Sequence, residues 1–101
     1  MATATLTWTY THTTEMGFEC ERKTGNLAST NPYAVIASPT YTVKTYVDTV
    51  IEGTTYCYRV RAWNTVNGQP TGTKQYSAYS NVVEFTPAVA PPPAPTALVV
   101  S

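Results

Sequence analysis

Residues Thr3-Ala4-Thr5-Leu6-Thr7-Trp8-Thr9-Tyr10 alternate threonine with an apolar side chain without a break. Successive side chains of a strand point to opposite faces, so this run reads as a half-buried β-strand. Ala4, Leu6, Trp8 and Tyr10 share its inner face, and the threonine row faces water. The same period of two recurs along the chain. Phe18 to Lys23 turns Phe18 and Cys20 inward and Glu19, Glu21 and Lys23 outward. Thr54 to Trp63 turns Tyr56, Tyr58, Val60 and Ala62 inward and Cys57, Arg59, Arg61 and Trp63 outward. Tyr33 to Ala37, bracketed by Pro32 and Pro39, is a short edge strand. Tyr41 to Val50 and Asn81 to Thr86 supply further strands. Thr11 to Gly17, Thr24-Gly25-Asn26 and Glu52-Gly53 are connections, and Asn64 to Tyr79 is a long loop or irregular hairpin. Helical periodicity is missing throughout. Six or seven short strands at even spacing call for an all-β, antiparallel two-sheet sandwich.

Composition narrows the partners. At 101 residues the chain has material for one domain. Six Lys+Arg balance six Asp+Glu, and that neutrality argues against nucleic acid, whose phosphates reward a basic excess. With 12% aromatic residues and no net charge, the chain is not of the disordered kind. No run reaches the ~18–20 apolar residues of a membrane helix. The N-terminal Met1 to Thr5 lacks the basic and apolar regions of a signal peptide. The expectation is either a piece of a secreted chain or a protein made without secretion, such as a virion component.

Several of these segments together resemble fibronectin type III domains. Leu6-Thr7-Trp8 looks like that family's second strand. Val50 to Tyr56 resembles its Leu-x-x-x-x-x-Tyr corner, with Val50 in place of the Leu. Tyr58 to Asn64 and Tyr79 to Val83 look like its last two strands. The resemblance covers about residues 3–87. It implies an immunoglobulin-like sandwich with a core of Leu6, Trp8, Phe18, Tyr56, Tyr58 and Val60. It also implies a structural Tyr56 whose hydroxyl bonds to nearby backbone. The family's adhesive Arg-Gly-Asp loop is absent, since Asn67-Gly68-Gln69-Pro70 occupies that region.

One departure organises the functional reading. The family opens on a strand of the form Pro-x-x-Pro-x-x-Leu-x-Val, and nothing before Thr3 supplies it. A matching pattern stands at the other terminus, Pro92-Pro93-Ala94-Pro95-Thr96-Ala97-Leu98-Val99-Val100. The expected organisation is a sandwich over residues 3–87, a Pro-rich linker over 88–95 and a first-strand-like segment over 96–101. That segment is donated to a neighbour, docked on its own domain, or part of a next repeat in a tandem array. The linker spans ~25 Å as polyproline, and the domain is ~25–30 Å tall, so docking in cis is barely reachable. Under donation, Thr96, Leu98 and Val100 form the assembly strand. Leu98 and Val100 then point inward on the acceptor beside Leu6 and Trp8. If Leu98 and Val100 instead stand in solvent and touch no sheet, donation is abandoned and only an ordinary excised repeat remains.

Chemistry-bearing residues are few. Parity sets Cys20 inward and Cys57 outward, so two free thiols are expected, Cys57 at the surface. His12 is the chain's one histidine, too little for a metal site, which takes about three protein ligands. Glu19 and Glu21 are expected to pair with Arg59, Arg61 and Lys23 across strands. Neither an enzyme constellation nor a cofactor motif is present. Trp63, Tyr76 and Tyr79 form a candidate binding surface, because exposed aromatics stack on sugars or fill a partner's pocket. The leading expectation is a non-catalytic structural or adhesive module. It would sit outside a cell, on its surface or on a virion, and its partners are itself or other surface proteins. The alternative is a carbohydrate- or protein-binding accessory module of a secreted multidomain protein.

Overall fold

A computed structural model of the chain describes residues 2–11, 16–69 and 71–101. His12 therefore lies outside the described residues. These form seven strands and no helix: β1 (Ala2–Thr7), β2 (Gly17–Thr24), β3 (Ala34–Ala37), β4 (Thr45–Val50), β5 (Tyr56–Thr65), β6 (Lys74–Tyr76) and β7 (Val83–Phe85). All pairings are antiparallel. One sheet holds β1 and β4; the other has the order β3-β2-β5-β6, with β7 also on β5.

The alternation read from the sequence sets the two inner faces. Ala4 and Val50 of the small sheet meet Tyr56 and Tyr58 of the large one. Phe18, Cys20, Val60 and Ala62 form a second cluster, against which Leu6, Trp8, Tyr10 and Tyr46 pack. Phe18 takes edge-on contacts from Trp8 and Tyr10, with ring centroids 5.4 and 5.3 Å away. Such pairs add about 0.5–1.5 kcal/mol beyond burial. Phe18, Tyr56, Tyr58 and Val60 are buried as expected, whereas Leu6 and Trp8 are only partly so.

The β4–β5 corner is tied down locally. Val50 is fully buried, and Tyr56 Oη accepts the Ile51 N–H at 3.0 Å. Gly53 turns the chain at φ 77°, a left-handed conformation that glycine adopts without a Cβ penalty. Its N–H donates to Pro87 O at 2.8 Å, which anchors the exit of β7.

The Asn64–Tyr79 segment is an irregular hairpin. β6 and β7 both pair with β5 and are separated by a kink. Ser77 and Ser80 repair the ladder there. Each donates its N–H to β5, to Ala62 O and Val60 O, and each accepts the same residue's N–H on its hydroxyl.

Beyond Pro87 the chain leaves the folded body. Residues 88–101 are all exposed and belong to no strand. Leu98 is 90% and Val100 89% exposed. The molecule measures 80 × 29 × 21 Å, with a radius of gyration of 19.2 Å. The ten residues of β5 cover ~33 Å at ~3.3 Å each, so the projecting tail supplies most of the remaining length. The expected inward packing of Leu98 and Val100 beside Leu6 and Trp8 does not occur within one chain. This is the exposure set against donation at the sequence level. It removes the self-docked arrangement from this conformation. A strand donated in trans is exposed in its own chain by construction, so donation and a next repeat both remain open.

Candidate functional site

Among the described residues, the edge of β1 turned away from β4 has no strand partner, nor has the far edge of β4. Trp8 N–H donates to Lys44 O at 3.1 Å, and Leu6 faces Tyr46. Antiparallel pairing alternates the direction of main-chain groups, so the even-numbered residues of β1 address β4. The main-chain groups of Thr3, Thr5 and Thr7 therefore address the opposite edge. Among the described residues, no strand pairs there.

That edge opens into a groove of about 570 Å³. One wall is β1 from Thr3 to Thr9. The other is Tyr58 to Val60 of β5 with Ser80, Asn81, Val83 and Phe85. The groove explains the half-burial of Leu6 and Trp8, because none of the described residues covers the inner face along this side. Val83 and Phe85 stay exposed at 52% and 38% for the same reason. Trp8 lines the groove, and its buried Nε1, like that of Trp63, has no acceptor among the described residues. A buried N–H left unpaired is costly.

The outer face of the large sheet is closed by its own side chains. Arg59 lies between the rings of Tyr33 and Tyr79, 3.7 Å from each centroid. Arg61 lies between Tyr76 at 3.7 Å and Tyr79 at 4.8 Å. Lys74 sits 4.2 Å over Trp63. Beneath the rings, Glu21 accepts from Arg59 Nε at 2.9 Å and from Tyr79 Oη at 2.9 Å. Glu19 accepts from Arg61 Nη2 at 3.0 Å.

The structure thus joins both glutamates to Arg59 and Arg61 as the pattern suggests, with two corrections. The carboxylates are buried rather than solvated. Lys23 turns instead to Leu27 O and Ser29 O and to the Tyr33 ring. Trp63, Tyr76 and Tyr79 do share this face, but each ring already carries a cation. Burial and the bond to Glu21 push the Tyr79 hydroxyl above its ordinary range.

A polar link between the sheets escaped the sequence reading. Asp48 on β4 is buried, and its Oδ2 accepts from Arg22 Nη1 of β2 at 2.7 Å and from Tyr58 Oη of β5 at 2.8 Å. Arg22 also lies 5.2 Å over the Tyr56 ring. Burial, then the bond to Asp48, drives the Tyr58 hydroxyl well above its usual range. The available signal was Asp48 on the same strand face as Tyr46 and Val50, an acid at a position alternation assigns to the interior.

Both cysteines are free, as parity requires. Cys57 is nevertheless buried, not at the surface. It lies on the outer face, yet its Sγ donates to Gly25 O at 3.4 Å, under the turn that Lys23 ties down. Burial raises the Cys20 thiol to about 11 and pushes Cys57 up as well. Neither is poised as a thiolate nucleophile. Among the described residues, no group of three or more His, Cys, Asp or Glu is placed to hold a metal.

No family model, curated protein or solved structure matches the chain.

Proposed function

We propose that the chain is a fibronectin type III-like β-sandwich serving as a non-catalytic structural module, joined head to tail to copies of itself on a virion, filament or cell surface. One observation carries this reading. Among the described residues, the β1 edge facing the groove has no strand partner, and a strand-like apolar segment without a partner projects from the end of the body. The family likeness is supported by the Val50–Tyr56 corner and its Tyr56–Ile51 hydrogen bond. Burying Leu98 and Val100 is worth about 1.5–3 kcal/mol each, and strand addition contributes main-chain hydrogen bonds. Donation in one direction is heterologous, so it produces a fibre or ring rather than a closed dimer. Nothing among the described residues favours glycan binding, since the Trp63, Tyr76 and Tyr79 rings already carry cations.

Light scattering across a concentration series tests the proposal. Species that grow with concentration are expected for the full chain, and a constant monomer for a chain lacking Pro95–Ser101. A full chain that stays monomeric throughout leaves an excised repeat and overturns self-assembly.

A further inference from the structure

We infer that the groove between β1 and β7 is the acceptor for Thr96–Val100 of a second copy, inserted antiparallel to β1. The inference rests on the self-assembly reading and specifies its joint.

Direction follows from the topology. Ala2 pairs with Val50, and Tyr56 pairs with Phe85, so the start of β1 and the end of β7 lie at one pole. The tail leaves from that pole, held by the Gly53–Pro87 hydrogen bond. To lie antiparallel to its own β1 it must first climb back the full height of the body. Running on in its own direction, it enters the far pole of a copy stacked ahead and travels antiparallel to that copy's β1. Residues 88–95 then act as a spacer of ~25 Å between bodies.

The chemistry matches on three counts. Thr3, Thr5 and Thr7 offer main-chain donors and acceptors at the open edge. The tail residues that carry side chains to one face, Leu98 and Val100, meet an apolar wall in Leu6, Val83 and Phe85. Both groove and tail strand are nearly free of charge, Arg59 alone excepted. Ala97 stands at φ 58° in the free tail, a left-handed conformation that an L-residue leaves on joining a strand. The unpaired tail is therefore not yet a strand, and pairing removes that local strain.

Two variants, substituted only at already exposed positions, separate donor from acceptor. Leu98→Asp with Val100→Asp disables the donor, and Phe85→Glu disables the acceptor; circular dichroism and melting of each monomer check that both still fold. Each variant alone is expected to remain monomeric where the wild type assembles. Their equimolar mixture should stop at a one-to-one dimer, because one intact tail meets one intact groove. In that dimer the resonance of the Trp8 indole, which lines the groove, should shift, read in a Trp63→Phe background. Wild-type-sized assemblies from either variant overturn the groove as the joint while leaving self-assembly standing. Failure of the mixture to dimerise also overturns it. A wild type that never assembles overturns both.

Discussion

Asp48 shows how one side chain couples two layers. Its carboxylate is buried between the sheets and takes both the Arg22 guanidinium and the Tyr58 hydroxyl on one oxygen. Removing one member of such a group leaves the others unpaired, which costs far more than the pair contributes net. Arg22 keeps 30% of its side chain in water, so its loss is softened. Asp48→Ala should destabilise by about 2–4 kcal/mol, and Asp48→Asn by clearly less, because the amide oxygen still accepts one donor. Urea unfolding of the two variants checks this; a loss below about 1 kcal/mol for Asp48→Ala would contradict it. Alternation along β4 places Asp48 inside, but nothing local says which partners meet it there. Arg22 and Tyr58 are 26 and 10 residues away, and their convergence is a product of sheet packing. The two thiols divide in the same way. Parity along β2 and β5 separates Cys20 from Cys57, yet the burial of Cys57 depends on a turn that folds over it from another strand.

At the scale of the element, β2 and β5 carry the organisation of the large sheet. The register Glu19↔Arg61 and Glu21↔Arg59 places each acid directly opposite a base. The pairing was legible because both strands alternate cleanly. The stack Tyr33–Arg59–Tyr79–Arg61–Tyr76 was not, because Tyr33 and Tyr79 arrive from irregular segments flanking β3 and β6. Desolvation by those rings strengthens the ion pairs beneath them relative to exposed ones. Tyr79→Phe removes the bond to Glu21 and keeps the ring, for an expected loss of about 1 kcal/mol. Tyr79→Ala also removes the cation–π contacts, worth about 0.5–1 kcal/mol each at such sites, and some packing. Thermal unfolding should therefore rank wild type, Phe and Ala in falling order; equal midpoints for the two variants would deny the ring any part. β1 has the clearest pattern in the chain, yet Leu6 and Trp8 stay half-open because they line the groove, whereas Asp48 and Val50 on β4, which likewise has one neighbour, are buried.

The whole molecule is a body of two sheets with a long projection. A compact chain of residues 2–87 has an expected radius of gyration of about 12 Å, against 19.2 Å for the full chain. Small-angle scattering at low concentration should therefore give a value near 19 Å for the full chain and near 12 Å once residues 88–101 are removed, with the unfolding midpoint unchanged. A full chain already near 12 Å would mean that the tail folds back onto its own body.

Local pattern settled the strand faces, the turn at Gly53 and the separation of the thiols, while the Val50–Tyr56 corner was suggested by the family resemblance. Each of these depends on a period of two or on residues a few positions apart, and backbone sterics act at that range. Tertiary structure alone decided that Cys57, Glu19 and Glu21 are buried, that Asp48 bridges the sheets, and that one side of β1 opens into a groove facing β7. Those outcomes depend on which edges and faces meet across large sequence distances. No local pattern carries that information, since the same alternation occurs in strands with a neighbour on one edge or on two.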